Sequence, residues 1–210
     1  MSLEALSSSI ISAWQGMSGW EVCAVLLAIA YVLLAVKERI ECWYAAFASS
    51  AIFLVLFWNV SLLMESALQV YYMGMALYGL SQWRLHANSE QDLQIHTWPP
   101  NRHALWLATI LLVTLVSGYL LSNNTDAARP YLDSFTTWAS VFTTWLVARK
   151  VLENWLYWIV IDAVSIFLYV DRGLYLTAVL FIVYVIIAAF GFLHWQQRYN
   201  ARTVPCPATT

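Results

Sequence analysis

The stretch Arg149-Lys-Val-Leu-Glu-Asn-Trp-Leu-Tyr-Trp-Ile-Val-Ile-Asp-Ala-Val-Ser-Ile-Phe-Leu-Tyr-Val-Asp171 decides the fold, because it is apolar and long enough to cross a bilayer as a helix. Trp155, Trp158 and Asp162 stand at positions i, i+3 and i+7, so they share one face of that helix. A carboxylate near the middle of a membrane span raises the free energy of insertion by about 2.5–3.5 kcal/mol. Such a residue usually faces a cavity or a partner and serves function. Two indole rings beside one carboxylate predict a site for a flat, positively charged ring.

Composition places the whole chain in the membrane class. Hydrophobic residues make up 61% of the 210 residues and charged residues only 10%, which is not typical of soluble domains. The net charge of −2 and the scattered basic residues argue against a nucleic-acid partner. Three cysteines are too few for a disulfide framework, and the four histidines lack the spacing of metal ligands. Motifs of hydrolases, zinc peptidases and phosphate-binding loops are missing, so the sequence predicts neither an enzyme nor a bound cofactor.

Apolar runs and turn residues predict an all-α membrane protein with seven transmembrane helices. Two longer polar connections flank the fourth span; the first contains Pro99-Pro100, and in the second Pro130 is placed to start the fifth span. The N-terminal segment, residues 1–18, is either a helix lying on the membrane surface or disordered. The predicted spans are 19–36, 43–59, 61–82, 103–122, 132–148, 150–170 and 173–195.

Basic residues concentrate on one side of this arrangement, which predicts an outside N-terminus and a cytoplasmic C-terminus. Of the 10 Lys and Arg residues, only Arg129 and Arg172 fall on the outer side. The other eight fall on the inner side: Lys37, Arg39, Arg84, Arg102, Arg149, Lys150, Arg198 and Arg202.

The chain matches itself when it is shifted by 112 positions without a gap, and we call two residues related by this shift repeat mates. The informative pairs are Glu41 with Glu153, Trp43 with Trp155, Tyr72 with Tyr184, Gly79 with Gly191 and Trp83 with Trp195. An odd number of spans between the two triplets predicts a 3+1+3 parallel repeat, as in SWEET sugar transporters. The expected units are 19–82 and 132–195, joined by a linker at 83–131 that holds the fourth span and followed by a cytoplasmic tail at 196–210. Opposite Asp162 the first unit has Ser50, so we expect one off-centre site.

The third span supplies a second polar face. Glu65, Gln69 and Tyr72 stand at i, i+4 and i+7, and Gln69 lies at about the depth of Asp162. The alternative for Glu65 is contact with lipid headgroups, and for Gln69 it is a hydrogen bond between helices. Tryptophans near a span end also form interface belts, which is the alternative for Trp43 and Trp155. The predicted substrate-binding residues are Trp155, Trp158, Asp162, Gln69, Tyr72, Glu65 and Trp43.

Other polar groups have structural interpretations. Thr136, Ser140 and either Thr143 or Thr144 form a small stripe that favours close helix packing. We expect Glu41 and Glu153 to form solvated ion pairs with the basic residues beside them, Arg39 and Lys150. A retinal photoreceptor would need a lysine inside its last span, and both lysines lie at span ends. A non-transporting seven-helix receptor stays possible, although the internal repeat argues against it.

The chain resembles the Pnu family of bacterial vitamin transporters over about residues 20–196. The matching motifs are Asn154-Trp-x-x-Trp158 with a polar residue at 162, and Gln69-Val-Tyr-Tyr72 followed by Tyr78-Gly79-x-x-x-Trp83. The resemblance implies a multi-pass protein of the bacterial inner membrane with a SWEET-like plan. It also implies facilitated diffusion with trapping by an intracellular kinase, and a homotrimer like that of the PnuC branch.

Within that resemblance, two positions bear on the substrate. The riboside-carrying PnuC branch usually has asparagine where this chain has Asp162 and Ala76. A carboxylate in place of an amide favours a cationic ring, so the sequence predicts thiamine, as in the PnuT-type branch, as the first substrate. Nicotinamide riboside also carries a ring cation and is the alternative. The expected partners are therefore a small-molecule vitamin and the lipid bilayer.

Overall fold

The apolar segments fold into helices, which satisfy their backbone groups internally as a bilayer requires. The structure is a computed structural model that describes residues 11–12, 14–59, 63–85, 93–125 and 129–203, without the side chains of 63–65 and 203. The described residues include seven long helices. They are α1 (Gly19–Val36), α2 (Cys42–Asn59), α3 (Leu63–Leu85), α4 (Pro100–Asn124), α5 (Pro130–Ala148), α6 (Asn154–Asp171) and α7 (Tyr175–Thr203).

Most helix bounds fall within a few residues of the predicted spans, and two differ for a physical reason. Helix α6 begins at Asn154 rather than 150, because residues 149–153 form the turn that ends α5. Helix α7 continues to Thr203, beyond the predicted end of its apolar run at 195. The prediction for the N-terminal segment lies largely outside the described residues, although 11–12 and 14–16 are helical with exposed Ile11 and Trp14.

Five of these helices are long and apolar enough to cross a membrane by length and composition: α1, α2, α4, α6 and α7. The other two, α3 and α5, carry more polar residues. In α5 several of these are buried against neighbouring helices, including Ser134, Thr143 and Thr144. A membrane helix tolerates such groups where it faces protein rather than lipid.

Six helices form a closed ring, and α4 lies outside it against α5. Going around the ring, α1 contacts α2, α2 contacts α3, α3 contacts α5, α5 contacts α6, α6 contacts α7, and α7 contacts α1. Consecutive helices therefore pack as hairpins, while the contacts α3–α5 and α1–α7 join the two triplets. These two junctions correspond to each other under the sequence repeat.

Tryptophans that are repeat mates have the same surroundings in the two triplets. The rings of Trp43 and Trp83 meet edge to face with centroids 5.4 Å apart, and so do those of Trp155 and Trp195, also at 5.4 Å. All four side chains are buried. Such aromatic pairs contribute about 0.5–1.5 kcal/mol beyond their buried area.

The same tryptophans also join one triplet to the other. The indole N–H of Trp83 donates to the Ala148 carbonyl at 3.1 Å, and that of Trp195 donates to the Val36 carbonyl at 3.0 Å. Val36 and Ala148 are themselves repeat mates. The two hydrogen bonds are therefore reciprocal, as a pseudo-two-fold axis between the triplets would produce.

An ion cluster lies beside these hydrogen bonds. The Glu38 carboxylate binds Lys150 Nζ at 3.0 Å and Arg198 Nη1 at 2.9 Å, and the Glu38 side chain is only 5% exposed. Lys150 Nζ also lies 4.8 Å from the centroid of the Trp83 ring. We call Glu38, Lys150, Arg198, Trp83 and Trp195 the clasp. This ion cluster corrects the expected pairing of Lys150 with Glu153. The Glu153 carboxylate instead lies 3.8 Å from His103 Nε2.

Glu38 and Lys150 also end their helices in the same way. Both adopt the left-handed backbone region, with φ of 54° and 53°, and both follow the last turn of a helix, α1 or α5. The next residues each donate to a carbonyl of the last helical turn, Arg39 to Leu34 and Val151 to Leu146. These are Schellman-type ends. Because non-glycine residues enter this region at a cost of about 1–2 kcal/mol, the ion pair between them offsets local strain.

Close approach between α2 and α3 requires a glycine at 79. A methyl group added there would collide with the buried Trp43 ring. Gly79→Ala is therefore expected to lower the free energy of unfolding by about 1–3 kcal/mol, the usual effect of overpacking. Thermal denaturation in detergent measures this. Gly74→Ala on the same helix is the matched control, because nothing lies within 4 Å of its added methyl. Equal melting temperatures for the two variants would contradict the packing.

Candidate functional site

The helix ring encloses a cavity of about 1070 Å³. That is at the upper end of the volumes usual for small-molecule sites. All six ring helices contribute to its wall. The polar side chains along it include Tyr31 from α1, Ser50 from α2, Gln69 and Tyr72 from α3, Ser140 and Thr144 from α5, Asp162 from α6 and Tyr184 from α7.

The two ends of the cavity have different walls, one of buried tryptophans and the other with charged side chains. Trp43 and Trp155, which pack on the tryptophans of the clasp, line the tryptophan end. At the other end the wall includes Glu21 near the start of α1 and Arg172 just after α6. Arg172 is engaged there in an ion pair with Asp133 at 2.5 Å. The cavity thus leads from this end, which we call the charged end, down to the tryptophan floor.

Six of the seven side chains predicted to bind substrate lie along this one cavity: Trp43, Gln69, Tyr72, Trp155, Trp158 and Asp162. The seventh, Glu65, has a side chain outside the described residues, although its backbone belongs to α3. The faces deduced from helical spacing on α3 and α6 therefore meet across the ring. Their role in binding stays a prediction.

Asp162 is the most unusual group of the wall. Its side chain is buried, with a relative exposure of 4%, yet it lines the cavity. Among the described side chains it has no ion pair or hydrogen bond. The phenols of Tyr72 and Tyr184, which are repeat mates, lie close enough to interact electrostatically with it. An unpaired carboxylate in such a wall is a candidate binding group for a cation.

The two indoles of α6 have different surroundings. Trp155 is 2% exposed and is held between Trp195 and Gly191, where an added methyl would come within 2.7 Å of its ring. Trp158 lies one turn nearer Asp162 and is only half-buried. Trp155 therefore forms the fixed floor, and Trp158 is the ring available for stacking on a ligand.

Several cavity residues escaped the sequence prediction. Tyr184 and Ser50 are the repeat mates of Tyr72 and Asp162, so the repeat combined with a two-fold axis could have identified them. Tyr31 lies 5.9 Å from the Trp43 ring centre. It sits in the uniformly apolar helix α1, whose sequence does not indicate which face points inward. Ser140 was interpreted as a packing residue, yet it lines the cavity.

The described residues contain no group of three or more histidine, cysteine, aspartate or glutamate side chains that could hold a metal ion. Carboxylate, amide, hydroxyl and indole groups thus make up the binding chemistry of the wall. They suit an organic cation with hydrogen-bonding substituents.

Comparisons with known proteins place the chain in a transporter family. Residues 18–197 match the family model described as "Nicotinamide mononucleotide transporter". The nicotinamide riboside transporters PnuC of Escherichia coli strain K12 and of Shigella flexneri are each 24% identical over 207 residues, covering 87% of this chain and 87% of their own length. The riboflavin/roseoflavin transporter RibM of Streptomyces davaonensis is 21% identical over 196 residues, covering 91% of this chain and 89% of its own.

A solved structure shares the fold. The crystal structure of the vitamin B3 transporter PnuC matches with a TM-score of 0.74 at 18% identity, covering 96% of this chain and 91% of that one.

Proposed function

Since the chain belongs to the nicotinamide mononucleotide transporter family, we propose that it carries a vitamin with a ring cation across the membrane, with nicotinamide riboside as the first candidate. The family and the relatives are transporters rather than enzymes, and the chain is a multi-pass membrane protein. The observation that carries the substrate class is the Asp162 carboxylate, which lines the cavity without an opposite charge among the described side chains.

The proposed pose follows from the wall. The pyridinium ring stacks on Trp158 and lies beside Asp162, while Gln69 and Tyr72 bond the polar substituents. Charge attraction and stacking select a flat cation, and the amide and phenol select its hydrogen-bonding edge. Thiamine, the first substrate predicted from the sequence, is the second candidate, because its thiazolium satisfies the same carboxylate. The relatives that carry nicotinamide riboside favour that vitamin over thiamine.

Binding of labelled vitamins to purified protein tests the substrate. We expect nicotinamide riboside to bind in the micromolar range or tighter and riboflavin, which is neutral, to bind more weakly. Tight binding of thiamine with none of nicotinamide riboside would reverse the order of the two candidates. Tight binding of riboflavin alone would refute the cationic substrate class.

We further propose that all seven helices cross the bacterial inner membrane in a 3+1+3 parallel arrangement, with the clasp on the cytoplasmic side. The reciprocal tryptophan bonds support the parallel arrangement. The excess of basic residues on the clasp side supports the orientation. The likeness to SWEET proteins and the homotrimer stay predictions. Light scattering of the purified protein in detergent measures the number of chains.

Transport by alternating access requires the tryptophan end of the cavity to open. We infer that the clasp is the inner gate, because it joins the two triplets next to the tryptophan floor. Substrate then enters at the charged end, and separation of the triplets at the clasp releases it. An intracellular kinase that modifies the vitamin supplies direction. A receptor would bind the vitamin without moving it, so counterflow in vesicles distinguishes the two classes.

Weakening the clasp is expected to expose Cys42, a fully buried thiol at the start of α2. Glu38→Gln removes the carboxylate that binds Lys150 and Arg198, so opening becomes easier by about 1–2 kcal/mol. In a background with Cys23→Ser and Cys206→Ser, labelling of Cys42 by N-ethylmaleimide should become about 5–30-fold faster. Asp171→Asn is the control, because it breaks an exposed ion pair with Arg129 at the other end of the helix ring. Unchanged labelling in Glu38→Gln would contradict the gate.

The clasp also has an expected pH dependence. Burial acts to raise the pKa of Glu38, but Lys150 and Arg198 outweigh it and hold the pKa below its ordinary value. A lowered pKa means that the stabilisation is present at neutral pH and is lost as the pH falls through the folded-state pKa. Labelling of Cys42 should therefore be slow at neutral pH and, after correction for the reagent's own pH dependence, should accelerate only as the pH falls below the ordinary range of a glutamate carboxyl.

A further inference from the structure

The two junctions between the triplets, α3–α5 and α1–α7, differ in how the chain connects them. Helix α3 continues through the linker and α4 into α5, and α4 packs against α5. Helices α1 and α7 are the first and last of the ring, so only the rest of the chain connects them. The α3–α5 junction therefore has a covalent connection of its own, and the α1–α7 junction has none.

Part of that linker is bonded to the second triplet. The His96 N–H donates to the Lys150 carbonyl at 3.2 Å, and the Leu152 N–H donates to the His96 carbonyl at 2.9 Å. Beside this pair of bonds Ile95 is 4% exposed, in the apolar cluster that also contains Trp83. The linker thus packs into the inner end of the α3–α5 junction and fixes the turn that carries Lys150.

The equivalent turn of the first triplet, residues 37–41, has different surroundings. No backbone group from another part of the described chain forms a hydrogen bond with it. Val151 in the second turn is fully buried, whereas the side chain of its repeat mate Arg39 is 58% exposed. The turn after α1 is therefore free to move with its triplet, and the turn after α5 is held.

A hydrogen bond inside the membrane distinguishes the junctions further. The Tyr71 hydroxyl of α3 donates to the Val141 carbonyl of α5 at 2.7 Å, near the middle of both helices. The repeat mates of these residues are Val183 on α7 and Ile29 on α1. A valine side chain has no hydrogen-bonding group, so the bond has no equivalent at the α1–α7 junction.

The α1–α7 junction is fastened at its inner end by the clasp. The Trp195 indole donates to the Val36 carbonyl at 3.0 Å, and Arg198 binds Glu38 at 2.9 Å. The Arg198 side chain is 50% exposed. Because water competes for such an exposed guanidinium, this ion pair breaks readily. The fastening of the α1–α7 junction is therefore reversible.

Resting on the proposed function, we propose that the α3–α5 junction is the pivot of the transport movement and the α1–α7 junction is the seam along which the triplets separate. Loss of the clasp bonds lets the inner ends of α1 and α7 move apart, and the vitamin leaves between them. The Tyr71 bond and the linker hold α3 against α5 throughout. This movement uses no ion gradient, so it is compatible with facilitated diffusion.

Two pairs of spin labels compare the junctions in a background in which serine replaces Cys23 and Cys206 and alanine replaces Cys42. Each label replaces an exposed leucine: Leu33 on α1 with Leu193 on α7 for the seam, and Leu85 on α3 with Leu105 on α4 for the pivot. Helix α4 reports on α5 because the two pack together. Pulsed dipolar spectroscopy measures the distance distribution of each pair.

Glu38→Gln is expected to change the seam pair and not the pivot pair. The population at longer Leu33–Leu193 distances should rise about 5–30-fold, because the variant loses the ion pairs of the clasp. The Leu85–Leu105 distribution should keep its wild-type position and width. Asp171→Asn, which breaks an exposed ion pair at the other end of the ring, is the control and should change neither pair.

Val183→Tyr tests the seam by giving it the bond that the pivot has. Its hydroxyl is placed to donate to the Ile29 carbonyl, as Tyr71 does to Val141. Counterflow of labelled nicotinamide riboside should be about 2–10-fold slower than in Val183→Phe, the effect of one hydrogen bond that must break. The Val183→Phe ring occupies the same space in the cavity wall without the hydroxyl. Equal rates in the two variants would contradict the seam.

Counterflow in the wild type separates failure of the pivot from failure of the function. If counterflow occurs and Glu38→Gln lengthens both pairs equally, the carrier stands and the pivot is overturned. A change at the pivot pair alone, or at neither pair, overturns it as well. Absence of counterflow for both nicotinamide riboside and thiamine overturns the proposed function. Counterflow together with lengthening of the seam pair alone supports both.

Discussion

Asp162→Asn is expected to raise the Kd for nicotinamide riboside by about 30–150-fold at pH 8. The substitution keeps the shape of the side chain and removes the negative charge of Asp162 from the cavity wall. Loss of one partner from a buried charge pair usually weakens binding by about 2–3 kcal/mol or more, which corresponds to that range. Titration of labelled vitamin against protein in detergent measures the effect.

A neutral ligand gives the matched control for this variant. The reduced, dihydro form of nicotinamide riboside keeps the ribose and the ring and lacks the ring cation. Wild-type protein should prefer the cation strongly, whereas the variant should bind the two forms almost equally. An Asp162→Asn protein that keeps the full preference for the cation would remove the carboxylate from the site.

Trp155→Ala is expected to lower the free energy of unfolding by about 3–5 kcal/mol, the usual effect of truncating a buried aromatic side chain. Its ring is 2% exposed and packs edge to face on Trp195 with centroids 5.4 Å apart. Removing it empties the space above Gly191 and loosens the floor of the cavity. Thermal denaturation in detergent should show a fall on the order of 10 °C.

Comparing Trp158→Ala with Trp155→Ala distinguishes a ring that forms the cavity floor from a ring that stacks on the ligand. Because Trp158 is half-buried beside the cavity, its removal should lower the free energy of unfolding less than removal of Trp155 does. It should weaken binding of the vitamin more. Loss of a cation–π contact of about 1–2 kcal/mol raises the Kd by ~5–30-fold. If Trp155→Ala melts like wild type while binding fails, then Trp155 and not Trp158 contacts the vitamin.

Much of the helix arrangement could be predicted from the apolar runs. The first span, 19–36, has the bounds of α1, and Pro130 begins α5 as its position predicts. The turn at 149–153 could not be predicted, because it holds no glycine and its left-handed residue is Lys150. Only the ion pair with Glu38, which lies far away in sequence, explains why a lysine occupies that conformation.

The candidate site was predictable where a polar residue interrupts an apolar helix. Asp162 and Gln69 stand out against leucine and valine, and helical spacing then identifies their neighbours. Tyr31 gives no such signal, because α1 is apolar on all sides. Proximity in sequence also predicted the wrong ion-pair partner for Lys150. Lys150 has Glu153 close by in sequence, whereas the ring of helices brings it to a carboxylate 112 residues away.

The pairing of Glu38 with Lys150 also bears on whether two separate copies of one triplet could assemble into this fold. Both residues occupy the same place in their triplets, so a symmetric assembly of two identical triplets would bring two carboxylates or two ammonium groups together and repel itself. Joining the halves covalently lets one copy become acidic and the other basic. The same freedom gives Asp162 a serine as its counterpart, so we expect one monovalent ligand to bind each duplicated chain.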